Sequence, residues 1–400
     1  MPRYSVFTPT HDPKRLWEAY DSLLEQTDQD WEWVIVENNG ADVGSLPDPR
    51  VKVLRYDHAN IGALKAHACA NASGEWLVEL DHDDLLMPDC LASIGACREA
   101  DFVYTNVVRV DGDGKPLPFS GDGWESRPVQ VGSQHLLEVV SPKPWPSNFS
   151  RIWYAPDHVR AWRRDFYERI GGHNPEMHVG DDHDLVARSL LEGRVEHIDR
   201  AGYIYRVHGD NSWLANQQEI DEVQWANHDR YFIPLAEKWA EQEGLSKLDL
   251  GGAIEPAEGY TTVDRHKADV VCDLEEPWPF ADQSVGVLRA HDVIEHLRNP
   301  VHTMNEAWRV LAHGGVFDIL VPSTDGRGAW CDPTHVSFWN SRSFRYYTES
   351  GMRQYLEPEC CCRFQVVQLS DLLMWEGIPY VRAQLLAIHD GPRIHGPLHF

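Results

Sequence analysis

Short apolar runs and amphipathic stretches alternate from the first residues of the chain. Tyr4–Phe7 reads as a strand, and Asp12 as the cap of a helix with Pro13 at its first position. Leu16, Trp17, Tyr20, Leu23 and Leu24 then fall on one helical face. Trp33–Val36 and Val51–Leu54 read as further strands, and a helix over about 61–72 leads into the strand Trp76–Leu80. Strands alternating with helices predict a parallel sheet with right-handed crossovers, which takes its ligand at the carboxyl ends of the strands. Three polar clusters lie at such ends: Thr8-Pro9-Thr10, Glu37-Asn38-Asn39 and Asp81-His82-Asp83-Asp84. Asp101–Val110 continues the pattern, and residues 116–156 read as a long irregular loop, a lid or an insertion. Gly180-Asp181-Asp182-His183-Asp184 opens a helix, and a long helix over about 217–243 follows.

From Leu248-Asp249-Leu250-Gly251-Gly252 the rhythm restarts. Strands at Tyr260–Asp264, Asp269–Cys272, Val285–Arg289 and Val316–Val321 are expected, with a helix around Pro300–Leu311. The pattern predicts two α/β domains, 1–245 and 246–400, as suits a chain of 400 residues.

Composition narrows the partners. No apolar stretch approaches the ~18 residues that cross a bilayer, so no membrane segment or signal peptide is expected and the location is read as cytoplasmic. A net charge of −27 argues against bulk nucleic acid, although Arg160, Arg163, Arg164 and Arg169 form a local basic cluster. The eight cysteines lack paired spacing and are expected as free thiols.

Asp81, Asp83 and Asp84 crowd one strand end. At about 5 Å and an effective dielectric of about 20, each carboxylate pair repels by roughly 3 kcal/mol. A divalent cation that carries phosphates relieves such crowding; an acidic turn in water is the plainer alternative.

In order and residue type, the first 245 residues resemble a family 2 glycosyltransferase of the GT-A fold. The matching positions are Thr8-Pro9-Thr10, Glu37-Asn38, Asn60 and Gly62, Gly74-Glu75-Trp76, Leu80–Asp84, Gly171-Gly172, Asp181-Asp182, and Tyr205-Arg206 with His208. The resemblance implies that Thr8, Pro9, Thr10, Glu37 and Asn38 cradle the nucleotide, with Glu37-Asn38 standing where the family usually has two aspartates. It makes Asp81 a ribose or metal ligand and Asp83 a ligand of Mn²⁺ or Mg²⁺. His208 reaches the diphosphate or the metal, and Asp182 takes the proton of the acceptor hydroxyl. Neighbouring Asp181 and Asp184 are expected to raise the pKa of Asp182, and a helix N-terminus to oppose them. The implied donor is a nucleoside diphosphate sugar, a UDP-sugar by preference, the acceptor a glycan or protein, and the outcome inversion.

The second half resembles a class I S-adenosylmethionine-dependent methyltransferase with a short first crossover, over Leu248–Phe344. The resemblance rests on Leu248–Gly252, Val263-Asp264, Val271–Leu274, Pro279-Phe280, His291–Leu297, Arg309–Leu311 with Gly314-Gly315, and Asp332–His335. It implies S-adenosylmethionine at Gly251, Asp264 and Asp273, with Ala253 where the family usually has glycine. An active methyltransferase and a docking domain both remain open, as does a non-catalytic carbohydrate-binding role for the whole. The expected fold class is therefore α/β, with two Rossmann-like domains.

Overall fold

The computed structural model describes residues 1–44, 46–119, 124–132, 134–142, 156–209, 211–374 and 377–391. The chain divides into two compact α/β units, Met1–Phe232 and Ile233–Phe400.

The first unit opens with β1 (Tyr4–Thr10), α1 (Leu16–Leu24), β2 (Trp31–Glu37), β3 (Val51–Arg55), α2 (Ile61–Ala70) and β4 (Trp76–Glu79). β5 (Leu85–Leu86), α3 (Cys90–Ala96), β6 (Phe102–Asp111), β7 (Ser126–Val131) and β8 (Gln134–Val139) come next. β9 (Arg160–Arg163), α4 (Arg164–Arg169), α5 (Asp181–Glu192) and β10 (Val195–Val207) follow. The sheet runs β3-β2-β1-β4-β9-β6-β10-β5, with β7 and β8 as a hairpin off β6. β1 lies parallel to both β2 and β4, so the strand order reverses across it. Ligands of open α/β sheets settle at such a switch point. Its core gathers the fully buried Tyr4, Trp33, Trp76 and Val78 with Leu16 and Leu23 of α1.

Two expectations for this unit change. β1 runs three residues further than the Tyr4–Phe7 reading, so Thr8-Pro9-Thr10 lies inside the strand. Pro9 is tolerated because pairing with β4 has already ended at Phe7–Glu79. The stretch read as an irregular loop holds the β7–β8 hairpin, in which Ser126 faces Val139. Pro128 disguised it, since proline argues against a strand except at a sheet edge, and β7 is an edge. Residues 143–155, including Lys143, Pro144, Trp145 and Pro146, lie outside the described residues.

The long helix α6 (Gln217–Gln242) is continuous, but the division falls within it, where the restart of the βα rhythm placed it near residue 245. Ala240, near its end, is buried, and a Cβ on Gly286 would strike it. That close approach ties the last turns of the helix to the strand carrying Gly286.

In the second unit, β11 (Ser246–Leu250), β12 (Thr261–Asp264), β13 (Val270–Val271) and β14 (Val285–His291) precede α7 (Pro300–Val310) and β15 (Leu311–Pro322). β16 (Phe364–Leu373) and β17 (Pro379–Ala387) close the sheet, whose order is β13-β12-β11-β14-β15-β17-β16. β17 is antiparallel to both neighbours. Residues 251–260, which cross from β11 to β12, form turns and no helix.

Gly62 shows how tightly the first unit is closed around its ligand edge. Its N–H donates to Met177 O at 3.1 Å, Asn60 Nδ2 donates to Pro175 O at 3.1 Å, and a Cβ on Gly62 would collide with the Asn174 carbonyl. Gly62→Ala is expected to cost about 1–3 kcal/mol, the usual range for forced overpacking, read from urea denaturation.

Candidate active site

The carboxyl ends of β1, β2 and β4 open on one cavity of about 1150 Å³. Its wall includes Pro9, Thr10, Asn38, Asp81, Asp83 and Asp182, with His208 beside them. Thr10 Oγ1 is buried there without a hydrogen-bond partner. Asn38 Oδ1 accepts the His58 N–H at 3.0 Å, which fixes the loop after β3 beside the cavity.

Thr8 and Glu37, expected against the nucleotide, stand behind this wall. The Thr8 hydroxyl donates to Leu80 O at 2.7 Å and accepts from Trp33 Nε1 at 2.8 Å, so it ties three strands together. Glu37 accepts the Val43 N–H at 2.8 Å and pairs with Arg55 at 2.8 Å. Position along the strand separates the two threonines: Thr8 and Thr10 share a face, but only Thr10 lies at the end of β1.

The acidic strand end separates into roles. Asp83 Oδ2 lies 2.7 Å from His208 Nε2, which arrives just beyond the end of β10. Asp81 lies 3.6 Å from His158 Nε2, and its N–H donates to Tyr203 Oη at 3.0 Å. Asp84 turns inward, where its Oδ1 accepts the Arg206 N–H at 2.7 Å. Burial, with Asp83 and Asp81 close by, pushes the Asp84 pKa far up.

At the wall and just behind it, two buried cations face three carboxylates. Lys65 Nζ on α2 lies 2.6 Å from Glu79 Oε1 and 3.3 Å from Asp181 Oδ2. Arg160 on β9 holds Asp182 in a short ion pair and reaches Glu79 Oε2 at 3.6 Å. Burial would raise Glu79, but Lys65 and then Arg160 hold it down at about 2. Burial also works against the charge on Asp182, yet Arg160 and Lys65 keep it well below the usual carboxylate range. Asp181 goes the other way: burial, aided by Asp182, pushes it up to about 6 despite Lys65. The expected raising of Asp182 by its neighbours is thus reversed, because Arg160 is nearer than either. Asp184 faces away, paired with Arg188 at 2.6 Å and accepting from Tyr231 Oη at 2.6 Å. Gly180, in the left-handed region at φ 67°, occupies the cap position of α5 and frees Asp181 and Asp182 from capping.

Lys65, Glu79, His158 and Arg160 were not among the expected site residues. Glu79 inside an apolar strand and Lys65 inside an apolar helix were the available signals, since such charges are rarely buried unpaired. Arg160 was visible only as part of a basic cluster. The structure dissolves that cluster, with Arg163 pairing with Glu75 and Arg164 lying 3.8 Å from Glu168.

In the second unit, Gly251 and Asp264 lie at the carboxyl edge of β11 and β12, where the Gly251 N–H donates to Val263 O at 2.8 Å. Gly251 adopts φ 74°, and a Cβ there would strike Val293, so the turn requires glycine on both counts. Asp264 Oδ1 accepts the His266 N–H at 3.1 Å. Asp273 is engaged by Arg265 at 2.9 Å and by the Glu275 N–H at 3.0 Å.

Comparison with known proteins agrees with this division. Residues 5–170 match the model of glycosyl transferase family 2, and residues 252–319 match a methyltransferase domain. The succinoglycan biosynthesis protein ExoO of Rhizobium meliloti (strain 1021) is 26% identical over 275 residues, covering 60% of this chain and 76% of that protein. A chondroitin synthase of Pasteurella multocida (strain Pm70) is 24% identical over 229 residues, 54% of this chain. The chain spans only 22% of that synthase. Among solved structures, S. aureus TarS 1-349 in complex with UDP-GlcNAc is 17% identical, with a TM-score of 0.41 over 60% of this chain and 73% of that one. By these two models, a family 2 glycosyltransferase segment precedes a methyltransferase domain on one chain.

The charge network predicts a pH dependence. Glu79 and Asp182 have folded pKa values below their ordinary ones, so they stabilise the fold above about pH 4.5 and that contribution is lost as pH falls toward about 2. Asp181 is raised, so its cost is present above about pH 6 and is relieved below it. Protection factors of β4 and β9 amides, referred to the unstructured exchange rate at each pH, are expected to fall below about pH 4.5, with a shallower response in Glu79→Gln. Arg160→Met, which strands two buried carboxylates, is expected to cost about 3–5 kcal/mol in urea denaturation at pH 7.

Proposed function

We propose that the first unit transfers a sugar from a nucleoside diphosphate sugar, by preference a UDP-sugar, to a hydroxyl of a glycan or protein, with inversion at the anomeric carbon. The observation that carries this reading is that Asp83, His208 and Asp182, far apart in sequence, meet on one cavity at the switch point of the sheet. Asp83 and His208, with Asp81 beside them, would hold Mn²⁺ or Mg²⁺. Carboxylate oxygen with imidazole nitrogen is a donor set such ions accept, and the 2.7 Å hydrogen bond between Asp83 and His208 keeps the two side chains adjacent. When bound, the ion would offset the charge that collects on the leaving diphosphate.

Pro9, Thr10 and Asn38 are placed to meet the nucleoside, and the partnerless Thr10 hydroxyl is free to bond it. Asp182 accepts the acceptor hydroxyl proton while that oxygen bonds to the anomeric carbon. The bond from this carbon to the diphosphate oxygen breaks, and its electron pair leaves with the diphosphate. Arg160 keeps Asp182 ionised, so the base form is present at any physiological pH. So weak a base takes the proton late, after the acceptor oxygen has begun to bond.

For the second unit the proposal is S-adenosylmethionine binding at Gly251 and Asp264, with methylation of the sugar or its carrier. The cofactor would supply the methyl group. Asp273, already held by Arg265, would contribute from the adenine side only by exchanging that partner. A docking role is the second reading, favoured by the helix-free crossover at 251–260. Calorimetric titration separates them: heat of S-adenosylmethionine binding that disappears in Asp264→Ala supports the first, and no heat with the unaltered chain refutes it.

A thermal-shift screen of UDP- and GDP-sugars with and without Mn²⁺ tests the donor. A hundredfold excess over Kd stabilises by about 2.7 kcal/mol, and Asp83→Ala is expected to abolish the Mn²⁺-dependent part. Asp182→Asn is expected to keep donor binding and lose about 10²–10⁴ in transfer rate. Unchanged turnover in Asp182→Asn would remove it as the base.

A further inference from the structure

Two short segments of the second unit bring together side chains that the readings above leave unused. Ile294–His296 forms a single 3₁₀ turn just beyond β14. Residues 332–337 are stitched to it: the N–H groups of Val336 and Ser337 donate to Glu295 O at 2.8 and 2.9 Å, and the Ser337 hydroxyl donates to Ile294 O at 2.8 Å. Within this frame Glu295, His296 and His335 each present a ligand atom, all within 4.8 Å of one another.

Glu295 sets the problem. Its side chain is 3% exposed, yet neither carboxylate oxygen meets a hydrogen-bond donor from another residue. An unpartnered acid so deeply buried is among the costlier features a fold can hold, and buried carboxylates are ordinarily paired or bound to metal. Both histidines face it in a fixed tautomer. His335 Nδ1 lies 3.1 Å from Ala329 O, a carbonyl that can only accept, so Nδ1 carries the proton and Nε2 a lone pair. His296 Nδ1 lies 3.2 Å from Thr334 O and 3.1 Å from Thr334 Oγ1. The Thr334 hydroxyl donates to Asp332 Oδ1 at 2.6 Å, so here too Nδ1 is the donor and Nε2 is bare. Backbone acceptors that orient histidines in this way are the usual support of metal-binding imidazoles.

His335 Nε2 lies 3.9 Å from Glu295 Oε1 and 3.9 Å from Asp332 Oδ2. These separations are too long for hydrogen bonds. They are close to the ~3.4 Å that bonds of ~2.1 Å impose between ligands of a tetrahedral ion. Two imidazoles and one carboxylate suit zinc, a borderline ion that takes nitrogen and oxygen together.

We propose that Glu295, His296 and His335 bind a zinc ion, with a fourth position beside the half-exposed Asp332 left for an oxygen ligand from water or substrate. This site is separate from Asp81, Asp83 and His208, and it stands whether or not the first unit transfers sugar.

The test uses the full chain, loaded with Zn²⁺, freed of excess by gel filtration and assayed for metal by mass spectrometry. One zinc per chain is expected, falling at least tenfold in Glu295→Gln and in His296→Ala, with circular dichroism melts checking the fold of each. Asp83→Ala, and Cys360→Ser, which alters a thiol 3.5 Å from that of Cys362, change other groups able to take zinc and are expected to retain it. Cobalt in place of zinc is expected to give the strong visible absorption of a four-coordinate ion, lost in Glu295→Gln. Retention unchanged in both Glu295→Gln and His296→Ala, loss in Asp83→Ala or Cys360→Ser, or no zinc on the unaltered chain at tenfold excess would each overturn the proposal.

Discussion

Burial of Lys65 and Arg160 beside Glu79 is the constraint on which the first unit turns. Glu79 sits in a strand whose other members are all apolar, so its charge is tolerable only with both cations in reach. Lys65 comes from α2 and Arg160 from β9, so this one carboxylate fixes a helix and an antiparallel strand against β4. The same cations reach Asp181 and Asp182, at the start of α5. The network that closes the core therefore also sets which of the two neighbouring aspartates is ionised. Asp182, with the guanidinium, stays charged, and Asp181, more deeply buried, titrates near neutrality.

The two units apply one rule to different degrees. Each has a mixed sheet with parallel central strands and chemistry-bearing residues at their carboxyl ends. In the first, α1 lies between β1 and β2 and α2 between β3 and β4, and the edge opens into a large cavity. In the second, the crossover from β11 to β12 is a run of turns, so the glycine turn leans on Val293 for support. The Glu295 turn, directly after β14, lies beyond a strand of that same sheet.

Much of the architecture was legible because it rests on local patterns. Asp12 and Pro13 announced a helix start, and the Asp12 side chain does accept the Lys14 N–H. Of the expected apolar face, Leu16, Tyr20 and Leu23 are buried, while Trp17 and Leu24 on its flanks are 50% and 42% exposed. The β7–β8 hairpin escaped notice because Pro128 masks an edge strand. Lys65, Glu79 and Arg160 were hidden because nothing in sequence says which distant charge a buried one will meet. The basic cluster misled for the same reason, since neighbours in sequence found separate partners in space.

The sequence by itself determined the alternation of strands and helices, the restart of that rhythm in a second half, and the gathering of Asp81, Asp83 and Asp84 at a strand end. These follow from periodicity and steric preference, which act over a few residues. Only the tertiary structure decided that Thr8 and Glu37 stand behind the cavity wall, that burial raises the pKa of Asp84, and that Asp182 keeps its charge. Protonation and exposure depend on the field and solvent around a group, and that surrounding is assembled from segments as distant in sequence as Lys65, Arg160 and His208.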